Sequence, residues 1–197
     1  GLGYIGLPTA IMFASCGVET VGLDVNADVV AMINTGRSHI VEPDLDAALH
    51  DAVFKGQLRA TLIAESAQAF IICVPTPITV DPVAPNLDYI MTAAKSLAPV
   101  LKKDDLVILE STVPVGTTEK LCKWLSLERP DLSFPDTHYE GSDVRVAHCP
   151  ERVLPGKIMQ ELIENDRLIG GLTKRCSEVA IDLYSLFVRG DCVITSS

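Results

Sequence analysis

Aromatic residues are scarce in this chain: one Trp, four Tyr and five Phe make up 5% of 197 residues, against 48% hydrophobic residues overall. The core is therefore expected to be aliphatic, a composition that suits a sheet covered on both faces by helices. Basic residues are also in deficit, 16 Lys and Arg against 26 Asp and Glu, for a formal charge of −10. With no Lys/Arg cluster, neither a nucleic-acid nor a membrane partner is expected, although a local positive pocket for a phosphate is compatible with that charge. No apolar run reaches membrane-spanning length and no charged-then-apolar leader is present, so a soluble, cytoplasmic protein is expected. The cysteines (Cys16, Cys73, Cys122, Cys149, Cys176 and Cys192) include no C-x-x-C pair, which argues for free thiols over a zinc or redox motif. His39, His50, His138 and His148 lack metal-ligand spacing, so no metal site is expected.

What is present is an alternation of strand and helix signals. Leu7, Ala10, Ile11 and Ala14 recur at helical spacing after Gly1-Leu2-Gly3-Tyr4-Ile5-Gly6, with Pro8 early and Gly17 after the end. Such a glycine-rich turn follows a buried strand in a dinucleotide-binding unit, and that strand is expected to precede Gly1. Further strands are predicted at 20–23, 69–74, 106–109, 144–148, 168–169 and 192–195. Helices are predicted at 26–34, from Asp44 as N-cap to near Gly56, at 87–101, from Gly116 with Glu119 in a capping arrangement, at 158–164 and at 173–187. Residues 78–86 and 129–143 read as loops. This pattern predicts a single α/β domain over 1–197, a doubly wound parallel sheet of the NAD(P)-binding Rossmann type.

The chemistry sits at the predicted strand exits. Gly1, Gly3 and Gly6 form G-x-G-x-x-G at the start of a helix, and Asp24 ends the next strand 18 residues beyond Gly6. That spacing fits a pyrophosphate on the helix N-terminus and a carboxylate on the ribose hydroxyls. The alternative is a plain strand–helix turn with a capping Asp. A 2′-phosphate would meet Asp24 as a like charge, so NAD is favoured over NADP. Val74-Pro75-Thr76-Pro77 and Glu110-Ser111-Thr112-Val113-Pro114 put hydroxyls at two exits, where Val74, Thr76, Ser111 and Thr112 can line a cofactor crevice or simply cap helices. At a later exit, Glu151 beside Arg152 reads equally as a functional carboxylate or as a surface ion pair. Trp124 reads as packing.

These segments, with Cys149-Pro150-Glu151-Arg152-Val153-Leu154-Pro155-Gly156, resemble successive signatures of the UDP-glucose/GDP-mannose dehydrogenase family over nearly the whole chain. The run from Pro150 to Gly156, His39–Leu45, and Glu161–Arg167 with Gly170-Gly171 look most like the branch acting on UDP-N-acetyl-D-mannosamine; UDP-N-acetylglucosamine or UDP-glucose enzymes and a non-catalytic NAD-sensing module are the rivals. The resemblance implies oxidation of a UDP-sugar C6 alcohol to the acid with two NAD, for surface polysaccharide synthesis, by a homodimer or larger homo-oligomer. It implies pyrophosphate contacts from the backbone of Tyr4 and Ile5, the ribose on Asp24, Thr76 lining the cofactor, Thr112 near the nicotinamide and the reacting water, and a contribution to the cofactor site from Thr118 on the following helix. Glu151 would be acid–base partner to the reacting water, and Arg152 and Val153 would touch substrate. The family's cysteine nucleophile, its Lys and Asn, the linker helix and the sugar-binding domain are expected beyond Ser197, so the chain alone is expected to be inactive.

Overall fold

The computed structural model describes residues 1–81 and 83–196; Pro82 in the predicted loop and Ser197 at the end of the predicted domain lie outside the described residues. In chain order the elements begin with α1 (Gly6–Ser15), β1 (Thr20–Leu23), α2 (Ala27–Asn34), α3 (Leu45–Phe54), β2 (Leu58–Thr61) and β3 (Ala69–Ile72). A hairpin of β4 (Ile78–Val80) and β5 (Val83–Pro85) follows, then α4 (Asp88–Leu97), β6 (Leu106–Leu109) and α5 (Thr117–Glu128). The last elements are α6 (Pro135–His138), β7 (Arg145–His148), α7 (Ile158–Glu164), β8 (Arg167–Gly171), α8 (Lys174–Tyr184) and β9 (Cys192–Ile194). They fall into two compact units.

The first unit comprises Gly1–Ala64, Arg152–Asp166 and Tyr184–Asp191. Its sheet pairs β1 with β2 in parallel, Thr20 opposite Leu58 and Leu23 opposite Thr61. The sequence pattern does not reveal β2, because only Leu58 and Ala60 of its four residues are buried. Helix α1 buries every residue from Gly6 to Ala14, not the single apolar face that its spacing predicts. It packs on β1, α3 and α7, while Phe13 meets Phe187 edge to face at 4.9 Å. Asp44 stands at the N-cap of α3 as expected but makes no capping bond. Its backbone is left-handed (φ 62°), and Asp46 instead accepts from the Ser38 N–H at 2.9 Å.

The second unit holds Glu65–Glu151, Arg167–Leu183 and the segment from Cys192. Its sheet runs in the order β3-β6-β7-β8-β9. Strands β3, β6 and β7 are parallel, β8 is antiparallel to β7, and β9 is parallel to β8. The sheet is thus mostly parallel, as the predicted doubly wound α/β fold requires, with one reversal at β8. Leu106–Leu109 are buried throughout, as a strand covered on both faces requires. Ile90, Leu97, Leu121 and Leu125 from the helices close the core around it. Two predicted loops carry structure: the described part of 78–86 is the β4–β5 hairpin, and 129–143 contains α6, anchored by buried Phe134 and Pro135. Helix α5 begins on Gly116 at φ 84° with no side-chain cap, so the expected capping arrangement with Glu119 does not form.

Candidate active site

In the first unit, the turn from Gly1 to Gly6 delivers the chain into α1. Ile5 occupies the cap position without a side-chain capping bond, and the first turn carries no acid. In the first turn of α1, the Leu7 and Thr9 N–H groups bond back to the Gly3 and Ile5 carbonyls. Gly3 and Tyr4 are exposed residues, and a Cβ on Gly3 would meet nothing within 4 Å. An uncapped ten-residue helix with open space at its N-terminus fits an anionic group, because its leading N–H groups and dipole carry partial positive charge.

Asp24, half-buried just past β1, is fixed by two backbone donors: Leu2 N–H to Oδ2 at 2.8 Å and Asn26 N–H to Oδ1 at 2.9 Å. A carboxylate accepts about four hydrogen bonds, so each oxygen keeps capacity for a sugar hydroxyl. These residues fit a pyrophosphate and a ribose diol. NAD, when bound, would add a hydride acceptor.

In the same unit, the loop after Arg152 is held by two carboxylates. Gly156 N–H donates to Glu42 Oε1 at 2.6 Å and Leu154 N–H to Glu161 Oε2 at 2.8 Å. Arg152 donates to the Asp166 carbonyl at 3.2 Å, and Val153 is half-buried.

In the second unit, parallel β3, β6 and β7 bring their carboxyl ends to one edge of the sheet. At two exits a hydroxyl bonds across to the backbone of the other exit. Ser111 Oγ donates to the Val74 carbonyl at 2.7 Å and accepts from the Val74 N–H at 2.9 Å, while Thr76 Oγ1 donates to the Thr112 carbonyl at 2.7 Å. Ser111 and Thr76 thus latch the exits of β3 and β6 together, a role that differs from helix capping. Thr112 itself is exposed and Thr118 is buried in the first turn of α5. His148, at the end of β7, donates through Nε2 to the Ser111 carbonyl at 3.2 Å, and burial holds its pKa below the ordinary histidine value.

Glu151 lies at this edge in a buried cluster that sequence reasoning missed. Its carboxylate pairs with Arg167, which also binds Glu110 Oε1 at 3.1 Å; the side chains of Arg167, Glu110 and Glu151 are 3%, 0% and 6% exposed. Cys73 Sγ donates to the other Glu110 oxygen at 2.9 Å, and Cys149 Sγ lies 4.0 Å from Arg167. Burial, reinforced by the Glu110 charge, pushes the Cys73 pKa well above the usual thiol value, so it stays a donor. The reversed strand explains the arginine's position. Ala147 opposite Gly171 and His148 opposite Gly170, continued past the strand end, set Arg167 across from Glu151. Removing one partner from such a buried group typically costs about 3–5 kcal/mol. The available signal was a charged residue abutting each of two apolar strands, Glu110 after Leu109 and Arg167 before Leu168.

A glycine-rich turn, an uncapped helix start and an anchored acid after the next strand define a dinucleotide-binding Rossmann unit. The comparisons specify it further. Residues 1–188 match the model of the UDP-glucose/GDP-mannose dehydrogenase family, NAD binding domain, and the chain belongs to this family. NAD is its cofactor. The UDP-N-acetyl-D-mannosamine dehydrogenase of Campylobacter jejuni is 58% identical over all 197 residues, which cover 48% of that protein. The NDP-N-acetyl-D-galactosaminuronic acid dehydrogenase of Ralstonia nicotianae is 60% identical over the same 197 residues, 46% of its length. The solved UDP-D-ManNAc dehydrogenase of Pyrococcus horikoshii superposes with a TM-score of 0.92 at 43% identity, covering 100% of this chain and 46% of that one. The chain therefore spans about half the length of the curated relatives it matches.

Proposed function

We propose that residues 1–197 are the NAD-binding domain of a longer enzyme that oxidises the C6 alcohol of UDP-N-acetyl-D-mannosamine to the carboxylate, for surface polysaccharide synthesis. The observation that carries the cofactor half of this reading is Asp24, clamped by Leu2 and Asn26 beside the uncapped start of α1. Tyr4 and Ile5 would offer backbone N–H groups to the pyrophosphate, with Gly1, Gly3 and Gly6 keeping the turn slim. Thr76, Ser111 and Val74 would form the wall of the nicotinamide end, with Thr112 and Thr118 near the reacting water. Glu151 takes the proton released from that water or the sugar hydroxyl, and Arg152 and Val153 touch the substrate. The substrate half is supported by the names of the Campylobacter and Pyrococcus relatives. NAD and nucleotide sugars are intracellular metabolites, which supports a cytoplasmic enzyme; we add a homodimer or larger homo-oligomer as its assembly. Among the described residues, no helix is long and apolar enough to cross a membrane.

A second reading has specific support: the Ralstonia relative, 60% identical, is named for an N-acetylgalactosaminuronic acid. The test is NADH formation by the full-length protein on UDP-N-acetyl-D-mannosamine, UDP-N-acetylgalactosamine, UDP-N-acetylglucosamine and UDP-glucose. The mannosamine sugar is expected to give the highest kcat/KM, by about tenfold or more, since differential contacts of roughly 1–3 kcal/mol separate such substrates. A faster galactosamine reaction would select the second reading, and no turnover on any would favour an NAD-sensing module.

A further inference from the structure

We propose that Glu42 and Glu161 are positioning residues for the substrate: they clamp the turn that follows Arg152 and Val153, and so fix where those two residues meet the nucleotide sugar. The inference rests on the reading of Arg152 and Val153 as substrate contacts. The turn is Leu154-Pro155-Gly156-Lys157, closed by the Lys157 N–H donating to the Leu154 carbonyl at 3.1 Å. Pro155 suits its second position and Gly156, with a left-handed φ of 89°, its third, as in a type II turn. That closing bond leaves the Leu154 and Gly156 N–H groups to other acceptors. Glu161 Oε2 takes the first at 2.8 Å and Glu42 Oε1 the second at 2.6 Å, so both donors go to carboxylates. Bonds of this kind are stronger than those to neutral acceptors. On the other side of Val153, Arg152 donates to the Asp166 carbonyl at 3.2 Å.

Each carboxylate is anchored in the same unit as the turn. Glu161 stands on α7, whose Ile158 and Leu162 are buried. Glu42 lies in sequence between Ile40 and Leu45, both buried in the core of the unit, and Met159 of α7 packs against that core. The chain turns there through left-handed Asp44, with the Leu45 N–H donating to the Glu42 carbonyl at 3.4 Å. Glu42 Oε2 is buried with no hydrogen-bond partner among the described residues, an arrangement that costs stability. What the Glu42 carboxylate supplies is the acceptor for Gly156. Neither Glu42 nor Glu161 needs to touch substrate for this role.

The test compares wild-type, E42A, E42Q, E161A and R152A full-length enzyme by KM and kcat on the UDP-sugar it oxidises fastest, by NADH affinity, and by amide hydrogen exchange over residues 152–157. E42A and E161A are expected to raise the sugar KM about ten- to a hundredfold, to speed exchange in the turn, and to leave NADH affinity unchanged. E42Q keeps an acceptor for Gly156 and is expected to bring KM back toward the wild-type value. A wild-type sugar KM in E42A, alongside a raised KM in R152A, would overturn the proposal, and E161A decides in the same way if E42A does not fold. A wild-type KM in R152A would instead sink the substrate-contact reading, while the exchange rates would still decide whether the two carboxylates hold the turn.

Discussion

Removing the Asp24 carboxylate should cost cofactor affinity in a way the geometry lets one estimate. The carboxylate is pinned by the N–H groups of Leu2 and Asn26 at 2.8 and 2.9 Å, which leaves about two of its four acceptor positions for ribose hydroxyls. A hydrogen bond to a charged group contributes about 1.5–3 kcal/mol, so losing even one should weaken NADH by roughly 10–150-fold. Asp24→Ala in the full-length protein is thus expected to raise the NADH Kd by one to two decades, measured by calorimetry. In wild type, NADH should bind at least about tenfold more tightly than NADPH, a gap of about 1.4 kcal/mol. In Asp24→Ala that gap should shrink, because the like-charge clash with a 2′-phosphate goes with the carboxylate. Asp24→Asn retains one oxygen for a backbone donor and controls for local unfolding around Leu2. An unchanged NADH Kd in Asp24→Ala, or equal wild-type affinities for the two cofactors, would refute the reasoning.

Three further outcomes are expected. Glu151→Gln should lower kcat by about 10²–10⁴ while leaving NADH affinity in place, as steady-state kinetics and calorimetry together would show. Gly171→Ala should destabilise the second unit, because the added Cβ would lie 2.3 Å from the Ser177 nitrogen and 2.7 Å from the Thr173 carbonyl oxygen. Overpacking of this kind costs about 1–3 kcal/mol, a fall in Tm of roughly 2–12 °C at this chain length; an unshifted Tm would contradict it. Asp143 is held at a pKa of about 2 by the Ser133 hydroxyl and N–H and by Lys103. A depressed carboxylate stabilises the fold above its unfolded value near 4 and loses that contribution as pH falls toward 2. Melting curves of Asp143→Asn should therefore depend less on pH than wild type between about pH 4 and 2.

The parts of the structure that local pattern encodes were legible in the sequence. Helical spacing marked α1, and the count from Gly6 to Asp24 marked the acid at the end of β1. The reversal of β8 was not legible, because strand–helix alternation reports that a crossover exists but not the direction of the strand it reaches. That reversal is what brings Arg167 to Glu110, 57 residues away in sequence. The cluster around Glu151 was hidden for the same reason, while the neighbour Arg152 drew the sequence reading. Asp44 shows the limit of a composition rule: a good capping residue stands at the cap, yet its left-handed backbone keeps the side chain from capping. Ser111 and Thr76 were correctly placed at strand exits, but their bonding to the opposite exit depends on β3 and β6 being neighbours.

The central claim, that an NAD-binding domain of the UDP-glucose/GDP-mannose dehydrogenase family here serves oxidation of an N-acetylmannosamine nucleotide, is tested most directly by stoichiometry. With limiting UDP-N-acetyl-D-mannosamine and excess NAD, the full-length protein should form two NADH per sugar consumed and yield the C6 carboxylate by mass spectrometry, with NADP supporting far less. A single NADH per sugar with an aldehyde product, or no NADH from this sugar at any concentration, would contradict the account.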